Sequence, residues 1–313
     1  MAMSVQQAQA ILFGLALGDA LGYPTEFMRL RQIQAVYGPA GITAPPDPAL
    51  FSDDTQMTLA LTEGLLHAGL AADLDAQMAA VGQEFIRWAH SPENNRAPGH
   101  TCMQGIHQYE SGLPWRESGL VASKGCGSAM RVATIGYLYQ HDPDRLREVA
   151  HASGIITHRH PAAIAASLAG AYLVKLALDA VPPADYLART LAFVDGISDE
   201  FDQALLRIGH VQGWGSEERA LTHLGEGWTG ETAIALALYC VLRYPDDYVA
   251  AMRRAASTDG DSDSIACIAG GILGARLGLA AIPADWQQRC EKRALLLDLG
   301  ERMAAARAAY VSG

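Results

Sequence analysis

Two short runs of oxygen-bearing side chains hold the chemistry of this sequence: Ser52-Asp53-Asp54-Thr55 and Asp259-Gly260-Asp261-Ser262-Asp263-Ser264. Each stands directly before an apolar segment of helical period, Met57–Leu66 for the first and Ile265–Leu277 for the second. Ser or Asp at such a place can cap a helix, because its side-chain oxygen accepts a bond from an unpaired amide of the first turn. Capping needs one such residue, whereas adjacent carboxylates repel and are neutralised best by cations. Each run therefore has two readings, a capped helix start or a set of metal ligands.

Oxygen donors select hard ions, Mg²⁺, Mn²⁺ or Ca²⁺; zinc would draw on His or Cys. Brought together, the two runs have the ligand count for a pair of ions bridged by shared carboxylates. An EF-hand loop does not account for the second run. Counted from Asp259 or from Asp261, no Gly stands sixth and no Glu twelfth.

Helical spacing also marks Met78–Ala89, Pro161–Ala180 and Thr232–Arg243, and alternating runs of Val, Ile and Thr are nearly absent. Pro24, Pro45-Pro46-Asp47-Pro48, Pro161, Pro182-Pro183 and Pro245 fall where helices should begin or end. The sequence reads as all-α, with roughly a dozen helices. Even apolar density, without linker or repeat, makes 1–313 one domain. Two glycine ladders, Gly14, Gly18, Gly22 and Gly270, Gly274, Gly278, lie at four-residue steps beside the acidic runs. Interior glycine costs a helix about 1 kcal/mol per position, so the ladders predict close backbone approach at a helix crossing.

Of 313 residues, 50% are hydrophobic and 18% charged, which excludes global disorder. Against 34 Asp plus Glu stand 23 Lys plus Arg, a formal charge of −11. Without a basic stripe, nucleic acid and anionic membranes are poor partners. The apolar stretches are broken, by Lys175 and Arg276 among others, so no bilayer span is expected. No Lys or Arg precedes the apolar Ile11–Leu17, which argues against a secretory signal. Five widely spaced cysteines form neither a disulfide framework nor a zinc site, and a reducing cytoplasm fits them.

Six segments together give the chain a family likeness: Gly14-Leu-Ala-Leu-Gly18-Asp19-Ala-Leu-Gly22 with Pro24-Thr25-Glu26-Phe27, Ser52–Thr55, Arg96-Ala97-Pro98-Gly99, Gly125-Cys126-Gly127-Ser128-Ala129-Met130-Arg131, Thr157-His158, and Gly260-Asp261-Ser262-Asp263-Ser264-Ile265-Ala266. The sequence resembles the ADP-ribosylglycohydrolases over nearly its whole length. The resemblance implies a compact, single-domain orthogonal helical bundle and two divalent cations, Mg²⁺ or Mn²⁺. It implies Ser52, Asp53, Asp54, Asp261, Asp263 and Ser264 as their ligands, with Glu26 completing the site or touching the substrate ribose. Glu26, Asp54 and Asp261 are the catalytic candidates. Substrate contacts would come from Glu26, Arg96, Gly99, Gly125, Cys126, Gly127, Ser128, Met130, His158 and Trp228, the last on the adenine side. The implied substrate is an ADP-ribosylated protein, with arginine as the expected side chain and serine or small conjugates such as O-acetyl-ADP-ribose as alternatives. A non-catalytic member is the alternative of another class, since this fold also serves as a lens crystallin.

Cleavage at the anomeric carbon builds positive charge on the ribose, which an acidic pocket suits. Two departures from the family pattern touch the site. Ser stands for Thr at 52, 262 and 264, still a hydroxyl for a hard ion, and Cys126 stands where Asn is common, removing an amide donor. Several residues keep a plain structural reading beside the functional one. Asp19 is expected to bond a loop backbone, Arg131 to meet a diphosphate or buttress the site, and Cys126 to be a reactive thiol or a small filler. Trp228 reads as a stacking surface or a core anchor, His158 as a ligand contact or a satisfied core histidine. The polar stretch His90–His107 reads as a substrate-facing loop or an ordinary surface connection.

Overall fold

The computed structural model describes residues 2–312. Its organising contact is the crossing of Ala2–Gly22 on Ser262–Leu277, both buried on nearly every side from Ala8 onward in the first and through Ala275 in the second. A Cβ on Gly18 would lie 2.1 Å from the carbonyl oxygen of Ala266, and one on Gly270 would lie 2.1 Å from that of Gly14. One on Gly22 would lie 2.5 Å from the Cα of Asp263. The ladders therefore do what their spacing predicts, pressing the end of one helix onto the start of the acidic-run helix. Gly278 is the exception: it faces open space at φ +77°, ending its helix instead of packing the crossing.

The other periodic segments form helices at their expected places: Asp53–Ala68, Leu74–Ala89, Pro161–Leu178 and Gly230–Arg243. Two of these differ from the sequence reading in ways that matter. Asp53–Ala68 starts early enough to carry both aspartates in its first turn. Pro161–Leu178 stops two residues before Ala180, which takes a positive φ of 53°. That helix is also long and apolar enough to cross a membrane, although Lys175 led to the opposite expectation; 72% of it is buried within this fold. Among the described residues there are sixteen α-helices and no strand. The excess over a dozen comes from pieces such as Ala133–Leu138 and Ala284–Arg289, six residues each, too short to show a period. One continuous apolar cluster joins the helices.

Replacing Gly18 with Ala drives a methyl into a backbone carbonyl and is expected to cost about 2–3 kcal/mol. Gly278→Ala meets no atom and carries only backbone strain, about 1 kcal/mol. Thermal or urea unfolding of the two variants checks the order; a Gly18→Ala protein as stable as wild type would contradict the crossing.

Candidate active site

The acidic site is assembled at three chain reversals. Asp19, fully buried in the first helix, accepts bonds from the Ser52 amide (2.9 Å) and from the Thr55 amide and hydroxyl (3.0 and 2.5 Å). This fixes the turn that opens Asp53–Ala68, the structural role expected of Asp19. Ser52 is the N-cap, its hydroxyl accepting from the Asp54 amide at 3.4 Å. The capping reading thus holds for Ser52, whose hydroxyl also lies 3.3 Å from Asp54 Oδ2, and neither aspartate is needed as the cap. Asp53 takes the Gly99 amide at 3.0 Å.

At the second run, Asp261 occupies the N-cap position of Ser262–Leu277 yet makes no side-chain capping bond. Its carboxylate instead accepts from the Cys126 thiol at 2.8 Å. Gly260 adopts φ +88°, and a Cβ there would lie 2.4 Å from the Glu226 carbonyl oxygen, so only glycine allows this turn. Asp259 turns away to accept from the Leu30 amide at 2.6 Å. The third reversal follows the first helix. Thr25 donates to the Gly22 or Ala256 carbonyl (2.8 and 2.7 Å) and meets Ser262 at 3.0 Å, while the Phe27 amide donates to the Gly260 carbonyl (3.0 Å) and the Gly260 amide to the Met28 carbonyl (3.1 Å). Glu26 is thereby held over the second run.

The three reversals meet. Glu26, Asp261 and Asp263 each offer a carboxylate oxygen within 4.8 Å of the others. Glu26, Asp53, Asp54, Asp261 and Ser264 line one cavity of about 400 Å³, with Gly99, Gly125, Cys126, Gly127, Met130, His158 and Trp228 around them. Ser52 and Asp263 are buried against these carboxylates without lining it. Burial raises the carboxyls first, and neighbouring negative charge, above all that of Asp263, adds to it. Asp53, Asp54 and Asp261 are pushed well above the carboxylate range, although the Gly99 amide works against the rise at Asp53. Glu26 is pushed up to about 10 and Asp19 to about 7. Asp54 Oδ1 and Glu26 Oε2 are buried without a hydrogen-bond partner. Unpaired carboxylate oxygens in a crowd of like charge are the donor set a hard divalent cation needs.

Two expected substrate contacts lie elsewhere. Arg96 does not line the cavity; its guanidinium makes a two-pronged pair with Glu291 (2.5 and 2.8 Å) and donates to the Phe51 carbonyl. It straps the loop before Gly99 to the entry of the first acidic run. Ser128 is fully buried and donates to the Ala163 carbonyl at 3.3 Å, behind the glycine segment. Cys126 is a desolvated thiol, raised well above its usual range by burial and Asp261, and so no ready nucleophile. Arg131 lies behind the cavity, fully buried.

Sequence reasoning named no contact for Phe27, and for Pro98, His100 and Thr101 it gave only the two readings of the loop His90–His107; all four are on the cavity wall. Phe27 is 68% exposed at φ +64° and stacks on Trp228, centroids 5.1 Å apart, forming an aromatic rim. Its place in the motif beside Glu26 was the available signal. The stretch His90–His107 divides: residues 97–102 face the cavity, and a helix begins at His100. A larger cavity, about 780 Å³, opens beyond Arg29 between Trp214, Arg219 and Asp259 and contains none of the carboxylates that converge here.

The crowding makes metal-free stability pH-dependent. A folded-state carboxyl raised above its unfolded value stabilises the fold below the unfolded value, and that stability is lost as pH rises through the folded one. For Asp19 the window runs from 3.8 to about 7, and for Glu26 from 4.5 to about 10. In acid, His158, kept neutral in the fold, opposes the trend. EDTA-treated protein should therefore melt at a lower temperature at about pH 9 than at about pH 7, and less steeply so in Asp261→Asn. A flat or rising profile would contradict the crowding.

An ADP-ribosylglycohydrolase family model matches residues 3–311. ADP-ribosylhydrolase ARH3 of Mus musculus is 26% identical, the match covering 93% of this chain and 89% of that protein. ADP-ribosyl-dinitrogen reductase glycohydrolase of Rhodospirillum rubrum is 26% identical, with 92% and 91% covered. A solved structure described as an ADP-ribosylglycohydrolase-related protein complex shares 26% identity at a TM-score of 0.73, covering 98% of this chain and all of that one. With its motifs in order and its helical fold in common, the chain belongs to the ADP-ribosylglycohydrolase family.

Proposed function

We propose that this chain hydrolyses the bond between ADP-ribose and an arginine side chain of a modified protein, using two divalent cations, Mg²⁺ or Mn²⁺, held by the two acidic runs. Family membership supports release of ADP-ribose from a modified target. The observation that carries the finer reading is the buried carboxylate crowd with two unpartnered oxygens, on Asp54 and Glu26. Ser52, Asp53, Asp54, Asp261, Asp263 and Ser264 would hold the ions. When bound, such a pair activates water and orients vicinal hydroxyls.

The chain's own residues supply the rest. Glu26 is the carboxyl least committed to bonds within the site, which suits it to give a proton to the departing side-chain nitrogen. Asp53 is aimed by the Gly99 amide and Asp261 by the Cys126 thiol, so both present a fixed oxygen to the cavity. The Gly125–Gly127 wall lets a ligand approach backbone closely, and the Phe27–Trp228 rim offers a flat face to adenine and limits water. The name of one relative, ADP-ribosylarginine hydrolase Tri1 of Serratia proteamaculans, 23% identical over 96% of this chain, supports arginine as the side chain. The five free cysteines support a cytoplasmic setting.

The test is incubation with arginine- and serine-ADP-ribosylated proteins, with and without EDTA, measuring free ADP-ribose. Release from the arginine adduct, abolished by EDTA and restored by Mn²⁺, is expected. Asp261→Asn should lower kcat/KM by about two to three orders of magnitude. Glu26→Gln should lower kcat about a hundredfold and still bind Mn²⁺. Release from serine alone would reject arginine; EDTA-insensitive release, or normal turnover by Glu26→Gln, would reject the mechanism.

A further inference from the structure

Behind the glycine wall lies a buried chain of polar groups that the proposed mechanism does not use. One terminal nitrogen of Arg131 donates to the Ser153 carbonyl at 2.9 Å and to the Thr157 hydroxyl at 2.8 Å. Thr157 Oγ1 lies 2.8 Å from His158 Nδ1. Arg131 and Thr157 are fully buried, His158 nearly so. The far nitrogen, His158 Nε2, lies against the glycine segment: a Cβ on Gly125 would sit 3.2 Å from it. His158 is also on the cavity wall, and among the described residues Nε2 makes no hydrogen bond.

Which nitrogen carries the proton follows from counting donors and acceptors. Thr157 Oγ1 has one proton to give, and two acceptors stand near it: His158 Nδ1 at 2.8 Å and the Gly154 carbonyl at 3.4 Å. The Gly154 carbonyl already accepts the amides of Thr157 (3.1 Å) and His158 (2.9 Å), so both of its lone pairs are engaged. The hydroxyl proton therefore goes to Nδ1. The reverse arrangement, Nδ1–H donating to Thr157, would leave the hydroxyl only a third, long bond to a saturated carbonyl. The Arg131 guanidinium supports the choice twice, by filling a lone pair of Thr157 and by disfavouring a second positive charge on the imidazole.

We propose that Arg131, acting through Thr157, is a positioning residue that locks His158 as a neutral imidazole with its proton on Nε2. The cavity wall over Gly125–Gly127 is then a fixed hydrogen-bond donor, and the part of the ligand lying there must present an acceptor oxygen. This rests on the hydrolase reading for the ligand's identity but not for the tautomer. Burial and the Arg131 charge, which lower His158 to about 3, keep the imidazole neutral across the working range of pH.

The experiment is ¹⁵N–¹H long-range correlation on the full chain labelled at histidine nitrogen, with His158→Gln used to assign the signal. Wild type should show His158 with a protonated Nε2 and a bare Nδ1, unchanged between about pH 6 and pH 8. Thr157→Val keeps shape and removes the hydroxyl; it should lose this pattern, and Thr157→Ser should restore it. Titration with ADP-ribose by calorimetry should show roughly tenfold weaker binding to Thr157→Val and recovery in Thr157→Ser. An Nδ1–H tautomer in wild type, or an unaltered Thr157→Val spectrum, overturns the proposal. Should wild type show the Nε2–H pattern and yet bind no ADP-ribose, the hydrolase reading fails while the tautomer assignment stands.

Discussion

The fold holds several carboxylates together against their mutual repulsion, and the contact that does so is a helix crossing with no side chains between the two backbones. Glycines 14, 18, 22, 270 and 274 allow Ala2–Gly22 to lie directly on Ser262–Leu277. That contact places the end of the first helix, and hence Glu26, against the turn containing Asp261 and Asp263. Asp19, on the same first helix, reaches the other way to fix the turn of Asp53 and Asp54. One element thus positions both acidic runs, and a shift of its backbone would disperse the site.

The repulsion is not relieved within the protein. The buried cation behind the wall, Arg131, donates to a carbonyl, a hydroxyl and two sulfur atoms, and to no carboxylate. Arg96, the other arginine in the motifs, is taken up by Glu291. With neither guanidinium assigned to the acidic runs, the charges remain for something outside the chain to neutralise. A protein that needed only stability would gain by replacing such a crowd with apolar groups, so its presence points to use.

Much of this was legible in the sequence because local rules governed it. Helix periods located the larger helices, glycine spacing announced the crossing, and surplus acids beyond any capping need marked the two runs, within which the family resemblance picked out Asp53, Asp54, Asp261 and Asp263. What stayed hidden depends on residues far apart in the chain. Arg96 and Glu291 are separated by 195 positions, and nothing near either one announces the pair. Ser128 shares a motif with Gly125 and Gly127 but faces backward, because the 3-10 turn Cys126–Ser128 rotates it away from the cavity. The Phe27–Trp228 rim needs the backbone bonds that tie Phe27 and Met28 to Gly260, which no period encodes.

The central claim is that the two acidic runs form one site whose charge is balanced by bound cations. Calorimetric titration of EDTA-treated protein with Mn²⁺ tests it most directly. The account predicts saturable binding of two ions per chain, reduced by Asp54→Asn and by Asp261→Asn alike, since each run contributes to a shared site. Absence of Mn²⁺ uptake, or loss of binding from one run that leaves the other unaffected, would contradict it.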